Sequence, residues 1–169
     1  MKENKLMLLN NLRNKKLIKK YSEKKSYYNF DRDLIENKLA KAKDKNMYVI
    51  VHVQFSNEDG SLSHRGKYRI LNNRCKDIGY LNYVFYENSN PKYMILGDIH
   101  LDNEYRNIGL GSTTLKLFEE RAKSYGADHI VGDLSSVDEG TPEDKKHRNI
   151  FYIKRGYEII DSDKIYKVL

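Results

Sequence analysis

The residues whose types and spacing bear on chemistry lie in the run Leu101-Asp102-Asn103-Glu104-Tyr105-Arg106-Asn107-Ile108-Gly109-Leu110-Gly111-Ser112-Thr113. Gly109 and Gly111 stand at the mouth of a predicted helix, where glycine lets the backbone turn tightly and leaves the first N–H groups open. Those amides and the positive end of the helix dipole favour a phosphate or pyrophosphate. Arg106 adds a cationic donor, and Ser112 and Thr113 add hydroxyls. The same residues also suit a plain strand-to-helix connection whose glycines only relieve crowding; the spacing alone leaves both readings open. Two other phosphate motifs are excluded. No Gly-Lys-Ser or Gly-Lys-Thr forms a P-loop, and the glycine spacing departs from the dinucleotide fingerprint.

The remaining reactive residue types point away from metal and thiol chemistry. His52, His64, His100, His129 and His147 form no His-Glu-x-x-His, and their spacing carries no ligand signature, so no metal site is expected. Cys75 is the sole cysteine, which excludes an internal disulfide and a thiolate cage. Arg74 and Lys76 flank it, but no base partner is identifiable, and it reads as an ordinary thiol in a reducing compartment.

The elements that must position these residues follow from the change of period along the chain. Leu8, Leu9, Leu12 and Leu17, with Tyr21, recur at helical spacing among lysines. After a polar break from Ser22 to Ser26, Asn29 or Asp31 caps a second predicted helix with Leu34, Ile35, Leu39 and Ala42 as its stripe. Met47 to Phe55 is rich in β-branched and aromatic residues and ends at the turn Asn57-Glu58-Asp59-Gly60. Further strands are predicted at Lys67–Leu71, Ile78–Tyr86 and Tyr93–Leu101, joined too closely for crossover helices and therefore antiparallel.

A helix follows, with Leu110, Thr114, Leu117, Phe118, Ala122 and Tyr125 on one face and Gly126 after its end. His129–Gly132 is a short strand. Thr141-Pro142-Glu143-Asp144 combines an N-cap, a proline at the first helical position and an acid at N3, starting a helix to about Lys154. Tyr157–Ile160 and Ile165–Leu169 close the chain as a hairpin.

Charge is unevenly spread over this framework. Residues 1–45 hold 14 Lys or Arg and 6 Asp or Glu, a net of +8, whereas the rest holds 17 basic and 18 acidic groups, a net of −1. The chain therefore divides into a basic N-terminal helical segment, residues 1–45, packed on a core of residues 46–169, one domain overall. Fourteen tyrosines and no tryptophan point to aromatics along a core edge or cleft. No apolar run approaches the roughly 20 residues of a membrane span. The start, Met1 to Asn10, breaks into polar residues without a cleavage site, so export is not expected and a cytoplasmic location is.

Arg106-Asn107-Ile108-Gly109-Leu110-Gly111 resembles the Arg/Gln-x-x-Gly-x-Gly/Ala signature of the GNAT superfamily, the acyl-CoA-dependent N-acyltransferases. Leu101 to Tyr105 is similar to the lead-in to that signature, and Phe151-Tyr152-Ile153-Lys154-Arg155-Gly156-Tyr157 to the family's tyrosine, helix end, glycine and aromatic. The resemblance covers about residues 78–160. Asn107 stands where the family often has glycine, Lys145 departs from the usual asparagine, and the N-terminal helices precede the first strong strand.

The resemblance implies an α/β fold (an α+β mixed sheet) of the GNAT type, with splayed central strands and additional N-terminal helices. The splaying strands would end near Leu101 and run from about His129 to Leu134. It implies acetyl-CoA as acyl-donor cosubstrate. The Leu101 backbone would pair with the pantetheine arm, and the amides of Ile108, Gly109, Leu110, Gly111, Ser112 and Thr113 would hold the pyrophosphate, with Arg106 and Asn107 also among the cofactor-binding residues. Transfer would go to an amine of an unidentified small molecule or protein by direct attack in a ternary complex.

Tyr152 would protonate the departing sulfur. Asp98 and His100 alternate with Ile99 and Leu101 along one strand, and either could take the nucleophile's proton. Glu87 and Asp133 are lesser candidates. A homodimer is common in the resembled family. The alternative reading is a non-catalytic GNAT-like binding module whose basic N-terminal segment meets nucleic acid or an acidic protein, an expectation resting on charge alone.

Overall fold

In the computed structural model, residues 34–134, 141–161 and 163–169 are described. The first expected N-terminal helix, through Leu8 to Tyr21, lies outside them. A run of β-branched residues with apolar side chains on both faces suits a strand in the interior of a sheet. Met47–Ser56 is such a strand (β2), with seven consecutive buried residues. It pairs antiparallel with Leu62–Leu71 (β3), which begins five residues before the expected strand. Asp77–Tyr86 (β4) and Tyr93–Leu101 (β5) continue the antiparallel meander.

On the other side of β2, Leu34–Lys41 forms strand β1, in register from Leu34↔Gln54 to Lys41↔Met47. This corrects the expected second helix through Leu34, Ile35, Leu39 and Ala42. The physical reason is the outer edge of β2: eight aligned residues satisfy its unpaired backbone groups, and that ladder outweighs the helix propensity of the segment's Leu, Glu, Lys and Ala residues.

Leu110–Ser124 (α1) crosses from β5 to His129–Asp133 (β6), which runs parallel to β5. Pro142–Ile153 (α2) starts as expected: the Thr141 hydroxyl accepts from the Asp144 N–H at 3.2 Å, with Pro142 at the first helical position. Glu158–Ile160 (β7) and Lys164–Val168 (β8) form the closing hairpin, with β8 between β6 and β7. The result is a mixed sheet of order β1-β2-β3-β4-β5-β6-β8-β7.

α1 supplies Leu110, Leu115, Phe118 and Ala122 to a cluster with Ile50, Tyr68, Ile70, Leu81, Tyr83, Met94 and Leu96. Each large side chain buried there contributes about 1.5–3 kcal/mol. Leu115 joins this face unforeseen, while Leu117 and Tyr125 are only half-buried. Val49, Val51 and Val53 point to the opposite face and form a second cluster with Leu71 and Cys75. Among the described residues no helix is long and apolar enough to cross a membrane.

Candidate functional site

The site begins with a discontinuity in the sheet. β5 and β6 pair only from Tyr93↔His129 to Ile95↔Val131. On the other side of β5, Asn82 pairs with Asp98 but Tyr83 pairs with Leu96, which leaves Gly97 as an extra residue. Such a bulge bends its strand, and here it falls just past the last β5–β6 pair. At the fork the backbones nearly touch: a Cβ on Gly132 would lie 2.7 Å from the Leu96 carbonyl oxygen. Beyond this point β6 keeps its pairing with β8 through Asp133↔Lys164, whereas β5 runs on from Gly97 to Leu101 without a β6 partner.

At the end of that free stretch the chain folds into the loop that opens α1. The Asp102 N–H donates to the Ile78 carbonyl at 2.9 Å, and a single 3-10 turn spans Asn103–Tyr105. The Tyr105 hydroxyl accepts from Asn72 at 3.2 Å. Arg106 donates through Nε to the Leu101 carbonyl at 2.9 Å. Asn107 takes φ +63°, the left-handed region that asparagine tolerates best after glycine. The residue that departs from the family pattern thus holds a conformation that glycine adopts freely. The Ile108 carbonyl accepts from the Lys43 N–H at 2.9 Å, which ties the loop to the β1–β2 turn.

Gly109, the N-cap, takes φ +96° and requires glycine. The first intrahelical bond runs from the Thr113 N–H to the Gly109 carbonyl at 3.0 Å. The amides of Leu110, Gly111 and Ser112 therefore have no intrahelical acceptor. Thr113 differs from expectation, since its hydroxyl as well as its N–H is bound to the Gly109 carbonyl.

One participant was missed by sequence reasoning. Arg155, just past α2, donates to the Ser112 hydroxyl and to the Phe151 carbonyl, with its guanidinium 3.8 Å over the Phe151 ring. It brings a cation to the first turn of α1 from 43 residues away in sequence. The one available signal was its place inside the Phe151–Tyr157 segment, four residues after Phe151. Open amides, a left-handed glycine and Arg155 together give this corner donors and positive charge of the kind that suits a phosphate group. A Cβ on Gly111 would lie 3.4 Å from Leu101 and 3.5 Å from Phe151, so its lack of a side chain keeps this corner open.

The bulge also decides which way the proton-transfer candidates face. Before Gly97 the even-numbered Met94 and Leu96 point toward α1; after it Ile99 and Leu101 do. Asp98 and His100 are thereby turned to the opposite face, in register with Asn82 and Tyr80. His100 stacks on Tyr80 at 5.6 Å between centroids and approaches Asp102 at 3.7 Å. Tyr152 lies on α2, 6% exposed, edge-on to Phe151 at 5.1 Å and to Tyr157 at 5.6 Å. The structure therefore brings Asp98 and His100 together on one face and sets Tyr152 in the cluster under the helices. Glu87 pairs with His64 at 3.6 Å, and exposed Asp133 sits opposite Lys164.

Comparison with known proteins places the fold. The model of the acetyltransferase (GNAT) family matches residues 63–148, just over half of the chain. A GCN5-related glucosamine N-acetyltransferase region of a fungal multi-domain GH3 β-N-acetylglucosaminidase is similar at 17% identity and TM-score 0.51, covering 59% of this chain and 12% of that one. A GNAT-family acetyltransferase from Staphylococcus aureus is similar at 19% identity and TM-score 0.50, covering 63% and 69%. Arabidopsis thaliana Naa50, solved with a bisubstrate analogue, is similar at 16% identity and TM-score 0.50, covering 61% and 72%. At these identities the likeness is one of fold. No curated protein matches the chain.

Proposed function

The chain belongs to the GNAT acetyltransferase family, and from that premise we propose that it transfers an acetyl group from acetyl-CoA to the amine of a small molecule or protein by direct attack in a ternary complex. The observation that carries this reading is the fork between β5 and β6, opening beside a loop of unpaired amides. A thioester arm needs an unpaired strand edge to lie against, and its pyrophosphate needs donors at the end of that strand.

In this reading the amides of Leu110, Gly111 and Ser112 hold the pyrophosphate, with Ile108 and Gly109 shaping the turn and Arg106 and Arg155 adding charge. Arg106 steadies the Leu101 carbonyl, and β5 from Gly97 to Leu101 presents its backbone to the arm. The bound thioester supplies an electrophilic acyl carbon, so no covalent enzyme intermediate is needed. Asp98, with His100 beside it, takes the proton that frees the amine lone pair. The C–N bond forms as the C–S bond breaks, Tyr152 gives its proton to the departing sulfur, and the nitrogen sheds its second proton to water, from which the tyrosinate recovers one. Most of the rate enhancement comes from holding the two reactants in line and from a backbone donor at the bulge aimed at the developing oxyanion. A cytoplasmic location belongs to the same proposal.

The test compares the wild type with Gly109→Val, whose side chain strains the φ +96° turn by about 1–3 kcal/mol. Acetyl-CoA at about a hundredfold over its dissociation constant stabilises a binder by about 2.7 kcal/mol. The wild type should show that thermal shift and release CoA thiol with pooled amines. The variant, folded by circular dichroism, should lose most of the shift. Equal stabilisation of both proteins would remove the proposed site.

A further inference from the structure

The sheet face turned away from α1 carries two adjacent cross-strand rows. One is Lys67–Asn82–Asp98 and the next is Arg69–Tyr80–His100, each running over β3, β4 and β5. Residues in register share a face and lie close enough to interact. Both rows end at the stretch of β5 that has left β6, beside the fork. In the second row the charges are committed. Arg69 donates through Nε to Asp77 at 2.8 Å and forms an ion pair with it, and His100 approaches Asp102 at 3.7 Å.

In the first row the two charges attract each other without closing an ion pair. Among the described residues neither Lys67 nor Asp98 makes an ion pair or a side-chain hydrogen bond. The two are not within 4.0 Å of each other. The Lys67 ammonium instead lies 4.4 Å above the Tyr80 ring, half-buried. A half-buried cation whose nearest carboxylate stays out of contact is well placed to receive an anion. Burial and the neighbouring Arg69 both draw Lys67 below the ordinary lysine range, and only Asp98 opposes them. Asn82 stands between the two charges with an amide that can both donate and accept.

We infer that the acceptor of this site is a small molecule carrying a carboxylate as well as its amine, seated with the amine at Asp98 and the carboxylate at Lys67. The inference rests on the acyl-transfer reading above and narrows its acceptor. Lys67 and Asp98 stand two strands apart, about 9.5 Å between backbones. An ω-amino acid or a short peptide with a free C-terminus therefore spans the row better than a simple alkylamine. A polyamine would set a second cation against Lys67 and Arg69. In this arrangement Lys67 determines specificity, and Asp98 touches the reacting nitrogen.

The test measures thiol release with acetyl-CoA and matched acceptors: 4-aminobutyrate against butylamine, and glycylglycine against its amide. The wild type should favour each carboxylate over its uncharged partner by about tenfold in kcat/KM, the fold-change of one charge-assisted bond. Lys67→Met should erase that preference through KM while leaving the acetyl-CoA thermal shift unchanged, and Lys67→Arg should restore it. Turnover of the uncharged amines as fast as the carboxylates, or a preference that survives Lys67→Met, would overturn the inference and leave acyl transfer standing. No acetyl-CoA shift and no thiol release with any acceptor would overturn both.

Discussion

Lowering the pH should destabilise this protein through one residue, His52, before its carboxylates titrate. His52 is 3% exposed. Tyr68 packs against its ring at 4.7 Å between centroids and Tyr83 at 5.8 Å, and Nε2 shares a 2.7 Å hydrogen bond with the Tyr83 hydroxyl. Nδ1 faces the Glu36 carboxylate at 3.3 Å and the Arg121 guanidinium at 3.4 Å. Glu36 and Arg121 are paired with each other, so the carboxylate offers little net charge to an imidazolium. Burial accordingly pushes the His52 pKa from 6.5 down to about 4.

Because the folded-state value is the lower one, the unfolded chain takes up the proton first. The stabilisation is fully present above about 6.5 and is lost as pH falls toward 4. The whole gap is worth about 3 kcal/mol, of which about 2 kcal/mol disappears between pH 8 and pH 5. Urea unfolding of the wild type and His52→Gln at pH 8, 7, 6 and 5 isolates this contribution, since all other titrations are shared. The wild type should lose about 2 kcal/mol more than the variant over that range. Parallel curves, or a His52 ring that titrates near 6.5 by NMR, would refute the reasoning.

Three further outcomes are expected. Gly66→Ala would drive a Cβ into the Tyr83 hydroxyl and ring, so the buried ring must move; its urea midpoint should fall by the equivalent of about 1–3 kcal/mol. Arg155→Met keeps much of the packing on Phe151 but removes the cation from the α1 first turn. Acetyl-CoA affinity by calorimetry should weaken about tenfold, and unchanged affinity would take Arg155 out of the site. Tyr152→Phe keeps the ring against Phe151 and Tyr157 and deletes only the hydroxyl. Its kcat should fall by about 10²-fold, the scale of one general acid, with the acetyl-CoA thermal shift intact; undiminished turnover would end its assignment as proton donor.

Features governed by neighbours in sequence were legible without the fold. The Thr141-Pro142-Glu143-Asp144 start of α2, Gly126 at φ +72° after α1, and the loop from Leu101 to Gly111 depend on local dihedral and hydrogen-bond chemistry. A chain carries that chemistry wherever it goes. The strands from β2 to β5 were legible in the same way, from β-branched runs separated by short turns.

Other features belong to the assembled sheet. Leu34–Lys41 is a strand because β2 offers it an edge, a demand made 6 to 20 residues away along the ladder. Asp98 and His100 face away from α1 because Gly97 is an extra residue opposite β4, and strand alternation alone does not place a bulge. Arg155 meets Ser112, and His52 meets Tyr83 and Arg121, only once helices and strands distant in sequence are packed together. The sequence by itself thus determined the strands from β2 to β5, the helix starts and the glycine turn before α1, because bond rotation and nearest-neighbour hydrogen bonding set them. Only tertiary structure decided which charges meet, which stay apart and which are buried, because burial and long-range pairing exist only in the folded chain.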